Sequence, residues 1–135
     1  MQDHSILPEH LQDLGASGIT LETASEAGLR SVNGNEMGTG LGFPLPPGTT
    51  GLLFPYESDF FRIKIFPPTE HMRYGQPKGS GARLYVPPSI KSKLKNPTTE
   101  LFIAEGEKKA LKGCQEGLPC LGIGGLWNWL ENGKG

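Results

Sequence analysis

Glu105 is the residue in this chain best placed to do chemistry. It ends the apolar run Leu101-Phe102-Ile103-Ala104 and is followed by Gly106, then by a stretch of helical periodicity over Glu107–Glu116. A run this short and this apolar predicts a strand of the kind buried in parallel sheets. Ligands of open α/β sheets collect beyond the carboxyl ends of such strands. A carboxylate there can hold Mg²⁺ or act as a base in phosphoryl transfer, and Gly106 lets the backbone turn with no side chain in the way. The positive end of the following helix would favour the same carboxylate with no chemistry at all, so spacing alone leaves both readings open. Glu107 is expected as a first-turn helix residue rather than a ligand.

A second candidate set is basic. Arg62, Lys64, Arg73, Lys78 and Arg83 fall within residues 41–95, whose net charge is +5, against −5 for residues 1–40 and −1 for the remainder. Phe60, Phe66, Tyr74 and Tyr85 are interleaved with them. Cations that neutralise phosphates, with rings that stack bases, are what a sequence-tolerant track for a single strand requires. From the charge alone, a solvated loop face is the simpler account. Trp127 and Trp129 are expected to cover one end of a sheet rather than stack bases. His71 stands alone, with surface placement expected, and His4 and His10 suggest no more. Cys114 and Cys120 lack zinc or framework spacing and read as two free thiols of a reducing compartment. GEKKA lacks the frame of a phosphate-binding loop.

The elements that must position these residues follow from periodicity and punctuation. Pro8–Leu14 predicts a short helix stopped at Gly15, and Thr20 caps a second over Leu21–Ala27, the two able to pack as a hairpin. The second helix offers Glu22, Thr23, Ser25 and Glu26, a poor set for reading bases. Asn33–Gly51 reads as a Gly- and Pro-rich loop. GLLFPY and FFRIKIF predict a β-hairpin around Glu57-Ser58-Asp59, with Phe61, Ile63 and Ile65 on one face and Arg62 and Lys64 on the other. MRY and ARLYV are further short strands. SIKSKLKNPTT is a basic connector into LFIAE, and PCLGIGG is the closing strand of a βαβ unit.

Together these predict an α+β chain: an N-terminal helical pair and linker over residues 1–40, a basic β-rich subdomain over 41–97, and a partial βαβ unit over 98–135. The 20 glycines and 12 prolines punctuate apolar runs rather than form a low-complexity tract. No run reaches the roughly 18 apolar residues of a membrane span. MQDHSILPEH lacks the basic start and apolar stretch of a secretory leader, so a cytoplasmic location without membrane contact is expected.

LFIAEGEKKAL resembles the first motif of the Toprim domain of bacterial-type primases, topoisomerases and related nucleases. GLPCLGIGGLWNWL is similar to its continuation in replication proteins of plasmids, phages and cyanobacteria. Residues 11–32 resemble the short helical segment that opens those proteins, and GLLFPY with RYGQPKGSGARLYVPP resembles the basic subdomain preceding Toprim in primases. The resemblance spans most of residues 10–130. It implies that Glu105 is the catalytic, metal-associated glutamate, and that Arg62, Lys64, Arg73, Lys78 and Arg83 lie where primases contact a single-stranded template. It also implies Mg²⁺ as cofactor in the full-length context. The implied partners are single-stranded DNA or RNA, and a helicase or the remainder of the replication protein. Toprim domains draw their other Mg²⁺ ligands from an Asp-x-Asp motif, and after Gly125 the only acidic residue is Glu131. The resemblance therefore implies the N-terminal part of a primase-like replication protein whose second motif lies outside residues 1–135. The alternative is a non-catalytic nucleic-acid-binding, scaffold or regulatory module derived from such a protein.

Overall fold

The structure, a computed structural model, describes residues 6–70 and 72–124. The fold is α+β, as expected, and its residues group into two compact units. One comprises the residues up to Leu11 together with Gly28–Ser80, the other Gln12–Ala27 together with the residues from Gly81 onward. Helix α1 (Pro8–Ala16) contributes residues to both. Among the described residues no helix is long and apolar enough to cross a membrane.

The first unit is built on a four-stranded antiparallel sheet in the order β1-β2-β3-β4: Arg30–Asn33, Thr50–Pro55, Phe61–Phe66 and Tyr74–Gly75. The expected hairpin is present, with Leu53 opposite Ile63 and Gly51 opposite Ile65. Residues 33–51 are not the loop their composition predicts. Helix α3 (Gly34–Leu41) follows β1 directly. The backbone N–H of Glu36 donates to Asn33 Oδ1 at 2.8 Å, which caps the helix, and Gly42 stops it in the left-handed region at φ +89. Met37 and Leu41, four apart, are fully buried and join Val32, Leu53, Ile63 and Ile65 in the core. The frequent glycines conceal that one-sided spacing. Gly51 lies where α3 crosses the sheet, and a Cβ there would overlap both Ile63 and the Met37 sulfur.

In the second unit a three-stranded sheet runs β5-β7-β6: Leu84–Tyr85, Cys120–Ile123 and Phe102–Glu105. Strands β6 and β7 are parallel and joined through α4 (Glu107–Gln115), as the βαβ reading expects. An ideal Cβ on Gly122 would lie 3.2 Å from Ala110 Cβ, and one on Gly113 would lie 2.9 Å from Cys120 Cβ. Positions 120 and 122, with their partners 102 and 104, therefore face the helix. Helix α2 (Leu21–Glu26) is capped by Thr20 as predicted, the Thr23 N–H donating to Thr20 Oγ1 at 3.1 Å. It packs on α4 beside a clasp in which Thr20 N–H donates to Gln115 Oε1 and Gln115 Nε2 donates to Gly18 O, both at 2.8 Å. The basic connector contains a 3-10 helix, Pro88–Lys95. One expectation is corrected: β6 is not buried. It borders β7 alone among the described strands, and Phe102 and Ile103 are 45% and 67% exposed. An apolar run specifies a strand but not how many layers cover it.

Candidate functional site

The loop from β6 into α4 turns on Gly106, at φ 93 and ψ 159, a conformation that side-chain-bearing residues scarcely enter. Its N–H donates to the Ile123 carbonyl at 2.6 Å, which ties the turn to the end of β7. Glu105, opposite Ile123 in the parallel register, is exposed at the carboxyl edge of the pair. Alternation places it with Ile103 on the face away from α4. Glu107 begins α4 and is 1% exposed, so of the two neighbouring carboxylates only Glu105 is presented to solvent. Beneath the helix Tyr85 is also buried. Burial, and then the negative charge of Glu107, push its hydroxyl far above the ordinary tyrosine range.

An exposed carboxylate at a strand end can serve as one ligand of a hard cation or as a base. Mg²⁺ needs more oxygen donors than that, and among the described residues no group of three or more His, Cys, Asp or Glu side chains could hold a metal ion. Glu105 thus fits as a single ligand and does not by itself make a metal site.

The basic residues separate into two kinds. Arg62 and Lys64 share the sheet face opposite the Met37 core, as expected, and each lies over an aromatic ring. The Arg62 guanidinium is 5.1 Å from the Tyr74 centroid and the Lys64 ammonium 5.2 Å from that of Phe66. Tyr74 opposes Lys64 across β3 and β4. Arg73 accepts from the Ile65 N–H through its carbonyl, and alternation turns its exposed side chain to the reverse face. Lys78 hangs from the end of α3, its N–H donating to the Leu41 carbonyl at 2.8 Å. Arg83, exposed, belongs to the second unit. Phe60 and Tyr85 do not serve as stacking platforms, being 5% and 1% exposed. Phe60 is spent edge-on against Tyr56, and Tyr85 is covered because its position opposite Gly122 faces α4.

Both cysteines are free thiols, as expected. Cys114 Sγ lies 3.4 Å from both the N and O atoms of Cys120, whose own thiol burial pushes up, with Cys114 adding to the shift. His4, His71, Trp127 and Trp129 lie outside the described residues. A cavity of about 740 Å³ against α3, walled by Asn35, Thr39, Phe43 and Pro46, carries no titratable side chain.

His10 is the residue that sequence reasoning misses. Suggestive of nothing in the sequence, it is fully buried between α1 and the first sheet, its ring 4.4 Å from that of Phe66. Nδ1 is 2.6 Å from Ser31 Oγ and Nε2 is 3.0 Å from Thr50 Oγ1. Thr50 directs its one hydroxyl proton to Glu9 Oε1 at 2.8 Å, so Nε2 must carry hydrogen. In the neutral ring Nδ1 then accepts from Ser31, which itself accepts the Leu7 N–H at 2.8 Å. No local pattern announces this relay, because its partners are 21 and 40 residues away.

Comparison with protein-family models, with curated proteins and with solved structures found no match for this chain.

Proposed function

We propose that this chain is the N-terminal part of a primase-like replication protein of the plasmid or phage type. In this reading it binds single-stranded nucleic acid and, within a longer protein, Glu105 supports Mg²⁺-dependent nucleotidyl transfer. One observation carries the reading: a strand, a glycine turn and a helix leave a single solvent-facing carboxylate at the carboxyl edge of a parallel strand pair. Arg62 and Lys64 support it with charge on one face of β3, beside the Tyr74 and Phe66 rings that they already cover. Within the first unit Arg73 and Lys78 do not extend that face, so the proposed contact there is short and centred on β3.

A non-catalytic binding or scaffold module is the second reading. Under it Glu105 is idle, and the chain acts by binding nucleic acid or a protein partner.

The test common to both is a fluorescence titration with labelled single-stranded DNA at two salt concentrations. Binding should weaken as salt rises, and Arg62→Ala with Lys64→Ala should lower the affinity and reduce the salt slope by about two charges. Affinity that ignores salt, or a double variant that binds as before, removes the phosphate track and leaves of the second reading only a scaffold or regulatory role.

A further inference from the structure

A cavity of about 380 Å³ opens beside the β2–β3 turn, on the core side of the sheet rather than its basic face. Tyr56, Phe60 and Phe61 wall it, and the buried side chains of Val32, Leu53 and Ile63 form its floor. The Tyr56 and Phe60 rings stand at 88° with centroids 4.9 Å apart, so two aromatic surfaces meet in a corner. Phe61 keeps its place because position 40 is glycine; an ideal Cβ there would be 2.9 Å from the Phe61 Cζ.

Charge at the mouth is acidic on balance. Arg30 and Glu36 are paired at 3.1 Å and offset each other, which leaves the exposed carboxylate of Asp59 as the uncompensated charge. That carboxylate is held in place at a cost. Ser58 and Asp59 both sit in the left-handed region, at φ +58 and +64, where a hairpin turn ordinarily places Asn-Gly. Glycine at 59 would relax the backbone, yet an acid stands there, over an aromatic corner. Ring faces and a lone carboxylate both attract an organic cation, the rings through their quadrupole and the acid through its charge. A phosphate or carboxylate ligand would be repelled by the same arrangement.

We propose that this cavity binds a small organic ammonium group, its head between the Tyr56 and Phe61 rings and the Asp59 carboxylate. A free alkylammonium ion can supply the group, as can a lysine side chain of another protein, methylated or not; the chemistry recognised is the same. The site is separate from the proposed nucleic-acid face and does not depend on that reading.

Methyl NMR spectra of the whole chain provide the test, with three probes: choline, its neutral carbon isostere dimethylbutanol, and a short peptide carrying trimethyl-lysine. Choline should shift the Val32, Leu53 and Ile63 methyls saturably, and the isostere should bind roughly tenfold more weakly, having lost both attractions. Asp59→Asn retains the left-handed preference of the turn and should weaken choline by a similar factor while leaving the melting temperature unchanged. Asp59→Gly should raise the melting temperature and weaken choline alike. A peptide that outcompetes choline assigns the site to a protein side chain, and one that binds more weakly assigns it to a free ion. Equal binding of the isostere, unchanged affinity in Asp59→Asn, or no saturable shift with either cation overturns the proposal. None of the probes carries phosphate, so these outcomes are independent of the DNA titration.

Discussion

Replacing His10 by alanine should destabilise the first unit far more than its position on a short N-terminal helix suggests. The imidazole is fully buried and bonds the Ser31 and Thr50 hydroxyls. Both hydroxyl oxygens keep a partner, Ser31 the Leu7 N–H and Thr50 the Glu9 carboxylate, and the Ser31 O–H that loses its acceptor is only half-buried. Each lost hydrogen bond is therefore worth about 1 kcal/mol rather than a full desolvation penalty. Removing the ring from its packing against Phe66 adds a transfer and cavity term of about 2 kcal/mol. The sum is roughly 4 kcal/mol, a large share of the 5–15 kcal/mol typical of a whole domain. Equilibrium urea unfolding measures it: with a slope of about 2 kcal/mol per molar, the midpoint should fall by roughly 2 M. Ser31→Ala should cost about 1–2 kcal/mol, and the double variant should show a coupling of about 1 kcal/mol between the two sites. A loss below about 1 kcal/mol for His10→Ala, or additive effects of the two changes, would refute the relay.

Two other outcomes are expected. Tyr85, its folded pKa raised by burial and then by Glu107, should stay protonated when the folded chain is followed by near-ultraviolet absorbance through the range in which an unfolded tyrosine ionises. The raised value means that stability is whole below the unfolded tyrosine pKa, about 10, and is lost as pH rises beyond it; ionisation of Tyr85 near that pH in the folded chain, read as the difference from Tyr85→Phe, would contradict its burial. In a longer protein of the proposed type, Glu105→Gln should abolish Mg²⁺-dependent synthesis while leaving the circular dichroism spectrum and DNA affinity intact, since the side chain is exposed; retained synthesis removes Glu105 from the mechanism.

Much of the architecture is legible in the sequence wherever one face of an element is apolar. The β2–β3 pairing follows from the alternation of Phe61-Arg62-Ile63-Lys64-Ile65, and the parallel unit from two apolar runs joined by a segment of helical spacing. Helix α3 escapes notice because Gly34, Gly38, Gly40 and Gly42 obscure the two positions that matter, Met37 and Leu41. The Asn33 cap with Glu36 three residues on is the signal that could have revealed it. The exposure of β6 is not encoded in its own residues but depends on what lies alongside. The candidate site is legible in proportion to its locality. Glu105 and its turn are contiguous and can be read. The separation of Arg73 from Arg62 and Lys64 depends on strand alternation, and that Arg83 belongs to the other unit is not written in its neighbours.

Gly51 ties three distant positions into one size constraint. Because Met37 and Ile63 already occupy the space where its side chain would go, the height of α3 above the sheet is set by an atom that is missing. Any lineage in which position 51 acquires bulk must trim position 37 or 63 in compensation or lift the helix and open the core. Related sequences, when compared, should therefore vary at these three positions in concert, with their combined volume held nearly constant.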